Sequence, residues 1–212
     1  MLFRSWLGLK RVGSDEYTHA TCFSFYPTKN LGAMGDAGAV VTNNLNKADF
    51  MRAYRDHGRV AQNEHPSPGY NHRMDAIQAA ILRVKLPHLD EWNYAREALA
   101  RRYTYNLGSC AEQVTVPVEG SAGGHAFHLY VVLADSRDSL RDYLAKAGIG
   151  TGIHYPTPLP RTTAYHQVSR FPVAEKLASS IVSLPMYPGL KEEQVDYVCD
   201  VIREFYSEVR SG

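Results

Sequence analysis

Apolar positions recur along this chain with two different periods, and the switches between them set its expected elements. Cys22–Tyr26 and Ala39–Thr42 are short apolar runs of strand type. Pro27 fixes its own φ and biases Tyr26 toward extended geometry, so the first strand ends where Lys29 enters a turn. This strand reads as buried, with Cys22 as a core filler. Lys47–His57 reads as a short helix carrying Phe50 and Tyr54 on one face at i, i+4. Gln62–Tyr70, with Pro66, Pro68 and Gly69, reads as a loop. Met74–Leu86 is the clearest helical pattern, with Ile77, Ile81 and Val84 as its apolar stripe.

Pro87 interrupts that helix by removing an N–H and clashing with the preceding turn, and a second helical pattern runs from Leu89 to Tyr105. The chain divides there into residues 1–87 and 88–212. Beyond the division strand and helix alternate, which marks an α/β unit. Phe127–Ala134 reads as a strand, and Ser136 as the cap of a helix reaching Ala147 with Leu140, Tyr143, Leu144 and Ala147 on one face. Gly148 supplies a C-terminal stop. Gly150–Tyr155 reads as a strand that delivers His154 and Tyr155 to a proline-rich turn. A final helix, Glu192–Val209, buries Val195, Val198, Ile202, Phe205 and Val209. Five such side chains contribute on the order of 10 kcal/mol before entropy costs, enough for a small domain to fold.

Composition adds little direction. Of 212 residues 44% are hydrophobic and 21% charged, an ordinary globular balance. The net charge of +1 gives no electrostatic argument for nucleic acid or an anionic membrane. Cys22, Cys110 and Cys199 are widely spaced and form no metal or redox pair, which fits a reducing compartment. His125 and His128 lack acidic or thiol partners at metal spacing. Met1–Leu9 is too short and too interrupted by Arg4 for a signal peptide, and no apolar run approaches the ~20 residues of a membrane helix. A cytoplasmic location is the simplest expectation.

The chemistry centres on Ser24-Phe25-Tyr26-Pro27-Thr28-Lys29-Asn30-Leu31-Gly32, followed by Gly35-Asp36-Ala37-Gly38-Ala39-Val40-Val41-Thr42. A lysine on a short stiff loop at a strand end suits a Schiff base with an aldehyde cofactor. These blocks resemble the lysine segment of the DegT/DnrJ/EryC1/StrS sugar aminotransferases. The resemblance continues through Gly69-Tyr70-Asn71-His72-Arg73-Met74-Asp75-Ala76-Ile77-Gln78-Ala79-Ala80, Gly150–Pro156, Phe171–Glu175 and Ser183–Pro188. It implies a pyridoxal 5'-phosphate (PLP) enzyme of the aspartate-aminotransferase fold type. The chain would be a partial α/β PLP-transferase fold: a remnant of the large domain with the lysine loop, plus a small C-terminal α/β domain.

By that resemblance Lys29 is the catalytic and cofactor-holding lysine, Ser24 donates its hydroxyl to the cofactor phosphate, and Asn71 reaches the phosphate across a dimer interface. Tyr70 and Arg73 would support that contact, and His154 and Tyr155 would touch the sugar nucleotide. Plainer readings stand beside these: Ser24 bonded to its own sheet backbone, Asn71 as an Asx turn or helix cap, His154–Tyr155 as a pair capping the sheet. The implied reaction moves an amino group from glutamate or a similar donor to a nucleotide-linked keto-deoxysugar. The lysine segment looks closer to dTDP-sugar 3-aminotransferases than to 4-aminotransferases.

The sequence also departs from the family. The lysine falls almost at the start of the chain, and Met1–His19 shows no version of the aspartate that pairs with the pyridine nitrogen. Asp15, Glu16 and Asp36 are the nearest acids, with the first two reading as solvated loop charges and Asp36 as a turn residue. Pro160 stands where a histidine is common, and Arg161–Arg170 is short. The chain therefore resembles a C-terminal portion. It is expected to work as a homodimer or with a chain supplying the remaining half; the alternatives are an incompetent remnant and a non-catalytic assembly module.

Overall fold

A computed structural model describes residues 6–7, 10–11, 13, 19–118, 124–165 and 169–211. Val12, Ser14, Asp15 and Glu16 lie outside the described residues. Contacts divide the chain into two units: the described residues of Met1–Asn93 with Gly120–Ala126, and of Tyr94–Glu119 with Phe127–Gly212.

The first unit begins with two short antiparallel pairs. Strand β1 (Trp6–Leu7) pairs with β2 (Lys10–Arg11), and β3 (Thr21–Ser24) with β4 (Gly38–Val41) in the register Thr21↔Val41 to Ser24↔Gly38. The hairpin bracketing Lys29 thus forms, but β3 is half-buried at most and Cys22 is exposed, which corrects the expectation of a buried strand. Cys22 sits opposite Val40 in this two-stranded sheet and both are exposed, so the face they share is left uncovered. Helix α1 (Leu45–Tyr54) starts at Asn44, whose Oδ1 accepts the Lys47 N–H at 3.0 Å. The Phe50 and Tyr54 rings stack at 5.4 Å, as their spacing requires.

Helix α2 (Ala76–Lys85) occupies the core of the predicted helix, but its buried side is not the predicted stripe. Ile77 is 67% and Val84 72% exposed, whereas Leu82 is buried against Leu31, Ala33 and Leu89. Gln78, Leu82 and Lys85, at i, i+4 and i+7, share one face. That face turns toward the lysine loop because Gln78 and Lys85 bond the loop's main chain. A 3-10 turn at Leu86–His88 follows, with Pro87 inside it, and α3 (Leu89–Asn106) then begins.

The second unit is a three-stranded antiparallel sheet of β5 (Val114–Thr115), β6 (Tyr130–Ala134) and β7 (Ile181–Leu184), in that spatial order. Helices α4 (Arg137–Lys146), α5 (Pro172–Ser180) and α6 (Glu192–Ser211) complete it. One core joins Tyr103, Leu107, Tyr130, Val132, Leu140, Leu144, Val182, Val195, Cys199 and Ile202. Burial pushes the Cys199 thiol up to about 12. The α6 stripe is buried through Phe205, while Val209 is exposed near the helix end.

Three expectations change here. Phe127 precedes β6 in a left-handed conformation, so the strand starts at Tyr130. Ser136 does sit at the α4 cap position, but its own left-handed backbone (φ 51) leaves no side-chain cap bond. Gly150–Tyr155 is not a strand: only Gly152 bridges, exchanging two main-chain bonds with Ser183 at 3.0 and 2.8 Å. The Gly148 stop forms as expected, with Gly148 N–H to Ala145 O at 3.0 Å and Ile149 N–H to Leu144 O at 2.9 Å, a Schellman arrangement.

Candidate functional site

The Lys29 turn is built from main-chain bonds that its sequence makes compulsory. Phe25 N–H donates to Ala37 O at 2.8 Å, extending the hairpin one step beyond β3. Lys29 N–H closes on Tyr26 O at 2.8 Å around Pro27, whose fixed φ suits the second position of such a turn. Ala33 N–H returns to Phe25 O at 2.8 Å. The crossing is so tight that a Cβ on Gly32 would lie 2.2 Å from Pro27 O. Glycine is needed there for space, since its φ is not in the left-handed region.

The turn is anchored from the rest of its unit. Leu31 and Ala33 are buried with Leu82 and Leu89. Asn30, next to the lysine, is buried; its Nδ2 donates to Asn93 Oδ1 and to Ala126 O, both at 2.8 Å. From α2, Gln78 Oε1 accepts the Met34 N–H at 2.8 Å, and Lys85 Nζ donates to Gly32 O at 2.7 Å. Lys29 itself is half-buried, and among the described residues no side-chain partner engages its Nζ. An amine on a braced turn is the type of group that can be joined to an aldehyde.

Ser24, at the end of β3, accepts the Tyr26 N–H on Oγ at 3.3 Å. Asn71 is exposed and bridges Asp56, so it is not the helix cap; Asp75 holds that position. The Asn71 segment is fastened to the end of α1 by Tyr70 N–H to Tyr54 O (2.8 Å), His57 N–H to Tyr70 O (3.0 Å) and His72 N–H to Arg55 O (2.9 Å). Two glycines allow this, because a Cβ on Gly69 would lie 2.1 Å from Gly58 N and one on Gly58 1.7 Å from Ser67 O. Asp56 is held below the usual carboxylate range by its bonds from Arg59 and then Arg73.

His154 and Tyr155 belong to the second unit. His154 Nδ1 lies 2.8 Å from Ser183 Oγ, on β7, and a Cβ on Gly152 would come within 2.6 Å of the imidazole. The bridge between Gly152 and Ser183 therefore sets the ring's position, and Tyr155 is exposed beside it at 5.6 Å between centroids. Among the described residues no cluster of His, Cys, Asp or Glu is placed to hold a metal, and no helix is long and apolar enough to cross a membrane.

Sequence reasoning passed over Asn30, Gln78, Lys85, Asn93 and Ser183. Gln78, Lys85 and Ser183 carry one sequence signal, polarity inside an otherwise apolar pattern: Gln78 and Lys85 lie seven apart, flanking Leu82 on one helical face.

Comparison with known proteins accords with this geometry. The profile of the DegT/DnrJ/EryC1/StrS aminotransferase family matches residues 4–203. A pleiotropic regulatory protein of Geobacillus stearothermophilus is 43% identical over 207 residues, 94% of this chain and 56% of its own length. The dTDP-3-amino-3,4,6-trideoxy-alpha-D-glucose transaminase of Streptomyces venezuelae is 39% identical over 94% of this chain and 53% of its own length. The crystal structure of S. venezuelae DesV in complex with a ketimine intermediate superposes with a TM-score of 0.88 at 38% identity, over 96% of this chain and 54% of that one. The chain thus spans about half the length of the curated relatives it matches.

Proposed function

The chain belongs to the DegT/DnrJ/EryC1/StrS aminotransferase family, whose enzymes depend on PLP, and from that premise we propose that it carries the lysine-bearing part of a nucleotide-sugar aminotransferase. The observation that carries this reading is the Lys29 amine, without a side-chain partner among the described residues, on a turn braced at Asn30, Gly32 and Met34. The residues fit the aldehyde and phosphate ends of the cofactor: an amine for the first, the Ser24 hydroxyl five residues earlier for the second. When bound, PLP supplies the electron sink that lets an amino group leave a donor such as glutamate and reach a keto-sugar.

The chain's own residues then divide the work. Lys29 Nζ anchors the cofactor and, when displaced by the donor, carries the proton at the donor's Cα. Asn71, exposed and fixed at its backbone, offers its amide to a phosphate in a second copy, which makes the working unit a homodimer. His154, held by Ser183, and Tyr155 present an imidazole and a phenol to a nucleotide-linked keto-deoxysugar. The transfer is proposed at C3, in keeping with the 3-amino product in the printed name of the S. venezuelae relative. Residues 1–87 form the cofactor part and 88–212 the sugar-facing part, acting in the cytoplasm. The carboxylate opposite the pyridine nitrogen is assigned to neither Asp36, an exposed residue two positions before β4, nor any other described acid.

A second reading is favoured by the exposure of Ile77 and Val84 on α2: a module that pairs with a longer aminotransferase without turning over substrate itself. One experiment separates the two. The chain is mixed with PLP, reduced with borohydride and digested, beside Lys29→Ala. A phosphopyridoxyl mass on the Lys29 peptide alone supports the cofactor role. Labelling spread evenly over the lysines, unchanged in the variant, overturns it in favour of the pairing module.

A further inference from the structure

Lys85 makes a bond that its helix does not need. It lies at the last position of α2, where a lysine's default is to extend into water and interact with the helix's own terminal carbonyls. Instead the side chain is half-buried and Nζ donates at 2.7 Å to the main-chain oxygen of Gly32, 53 residues away. Gly32 is the residue that cannot retreat, since its Cα packs against Pro27 O too closely for even a Cβ. A pull on Gly32 O is therefore passed directly to Pro27, and Pro27 opens the turn that Lys29 N–H closes on Tyr26 O. Two turns back on the same face, Gln78 Oε1 takes the Met34 N–H.

We propose that Lys85 is a positioning residue for Lys29: through the Gly32 carbonyl it fixes the turn that aims the Lys29 amine, with Gln78 steadying the exit of the same loop. The inference rests on the reading of Lys29 as the cofactor lysine only for its catalytic meaning; the mechanical coupling is independent of it. A donor to a carbonyl is required, not packing alone, so a side chain that keeps the aliphatic stem but loses the donor breaks the coupling. Arginine, with its longer overall reach and several donors, can restore it.

The test is amide hydrogen exchange on the full chain, comparing the parent with Lys85→Met and Lys85→Arg, followed by PLP–borohydride labelling of the same samples. Lys85→Met is expected to speed exchange at the Lys29 and Ala33 amides by about tenfold while the β6 amides, Tyr130–Ala134, keep their rates; Lys85→Arg is expected to restore the parent pattern. Unchanged exchange at Lys29 and Ala33 in Lys85→Met overturns the inference, as does a uniform increase that includes β6. Should Lys85→Met fail to fold, Lys85→Gln, too short to reach with its amide, takes its place under the same criteria. A parent that exchanges as expected but takes no label at Lys29 counts against the proposed function and leaves the positioning result standing.

Discussion

Gly32 and Pro27 meet so closely that a single added carbon on Gly32 would sit 2.2 Å from the proline's carbonyl oxygen. Neither atom belongs to a flexible side chain, so Gly32→Ala must move backbone. The expected cost is about 1–3 kcal/mol of stability, the usual range for overpacking, together with loss of the borohydride-fixed label at Lys29. Urea titration beside label mass spectrometry checks both; an unshifted midpoint with full labelling would contradict the close packing.

Asn30 is a buried amide satisfied by Asn93 Oδ1 and Ala126 O. Asn93→Leu removes one acceptor and leaves a buried N–H donor short of a partner. That is expected to destabilise by about 1–3 kcal/mol, whereas the double change Asn30→Leu with Asn93→Leu should recover part of the loss. A double-mutant cycle in denaturant measures the coupling, and additive effects would argue against it.

Arg102 grips Asp196 with two bonds, Nε to Oδ1 at 2.7 Å and Nη2 to Oδ2 at 2.6 Å, and also reaches Glu192. Asp196 is consequently held below the usual carboxylate range, chiefly by Arg102 and further by Asn106. The unfolded chain takes up this proton at a higher pH than the folded one. The contribution is thus complete above the ordinary aspartate value of about 3.9 and is lost as pH falls toward the depressed folded value. Asp196→Asn should lower Tm at pH 7 and make Tm less dependent on pH through the acid range. Tm curves as parallel as they are at neutral pH would sink the idea.

Ser183 holds His154 from β7. Ser183→Ala removes that bond without touching Lys29, so nucleotide-sugar affinity is expected to weaken by roughly 2–10-fold, the worth of one ordinary hydrogen bond, while labelling at Lys29 stays at the parent level. Calorimetric titration with a dTDP-sugar and a UDP-sugar reads the first; a drop in labelling would show that the change acts elsewhere.

Cys22 is exposed, whereas Cys110 and Cys199 are buried. A bulky thiol reagent is expected to modify Cys22 alone in the native chain and all three residues in denaturant. Native labelling of Cys199, whose thiol burial has raised to about 12, would contradict the packing of the α6 core.

Where the sequence was legible, one strong signal dominated. The α6 stripe of Val195, Val198, Ile202 and Phe205 faces the core because nothing polar competes for that side of the helix. The Lys29 segment declares itself through proline, lysine and glycine at fixed spacing, each answering to one backbone requirement. Helix α2 misleads for the opposite reason. Its apolar residues do mark a stripe, yet the loop's unpaired main-chain groups claim the neighbouring face, and hydrophobic counting has no term for Gln78 or Lys85. Gly150–Tyr155 carries strand-like residues, but a strand needs a partner along its length and only Gly152 finds one. The braces of the turn span 44, 53, 63 and 96 residues of sequence, beyond any local pattern.

The holds that α2 places on the loop grasp a carbonyl at position 32 and an amide at position 34, atoms every residue but proline carries in full. Side chains that point outward from the loop, such as those of Thr28 and Met34, are consequently spectators to its geometry. Such a loop is evolvable: its exposed lettering can be rewritten while the lysine keeps its aim. Saturation libraries at Thr28 and Met34 are expected to leave the Lys29 turn intact.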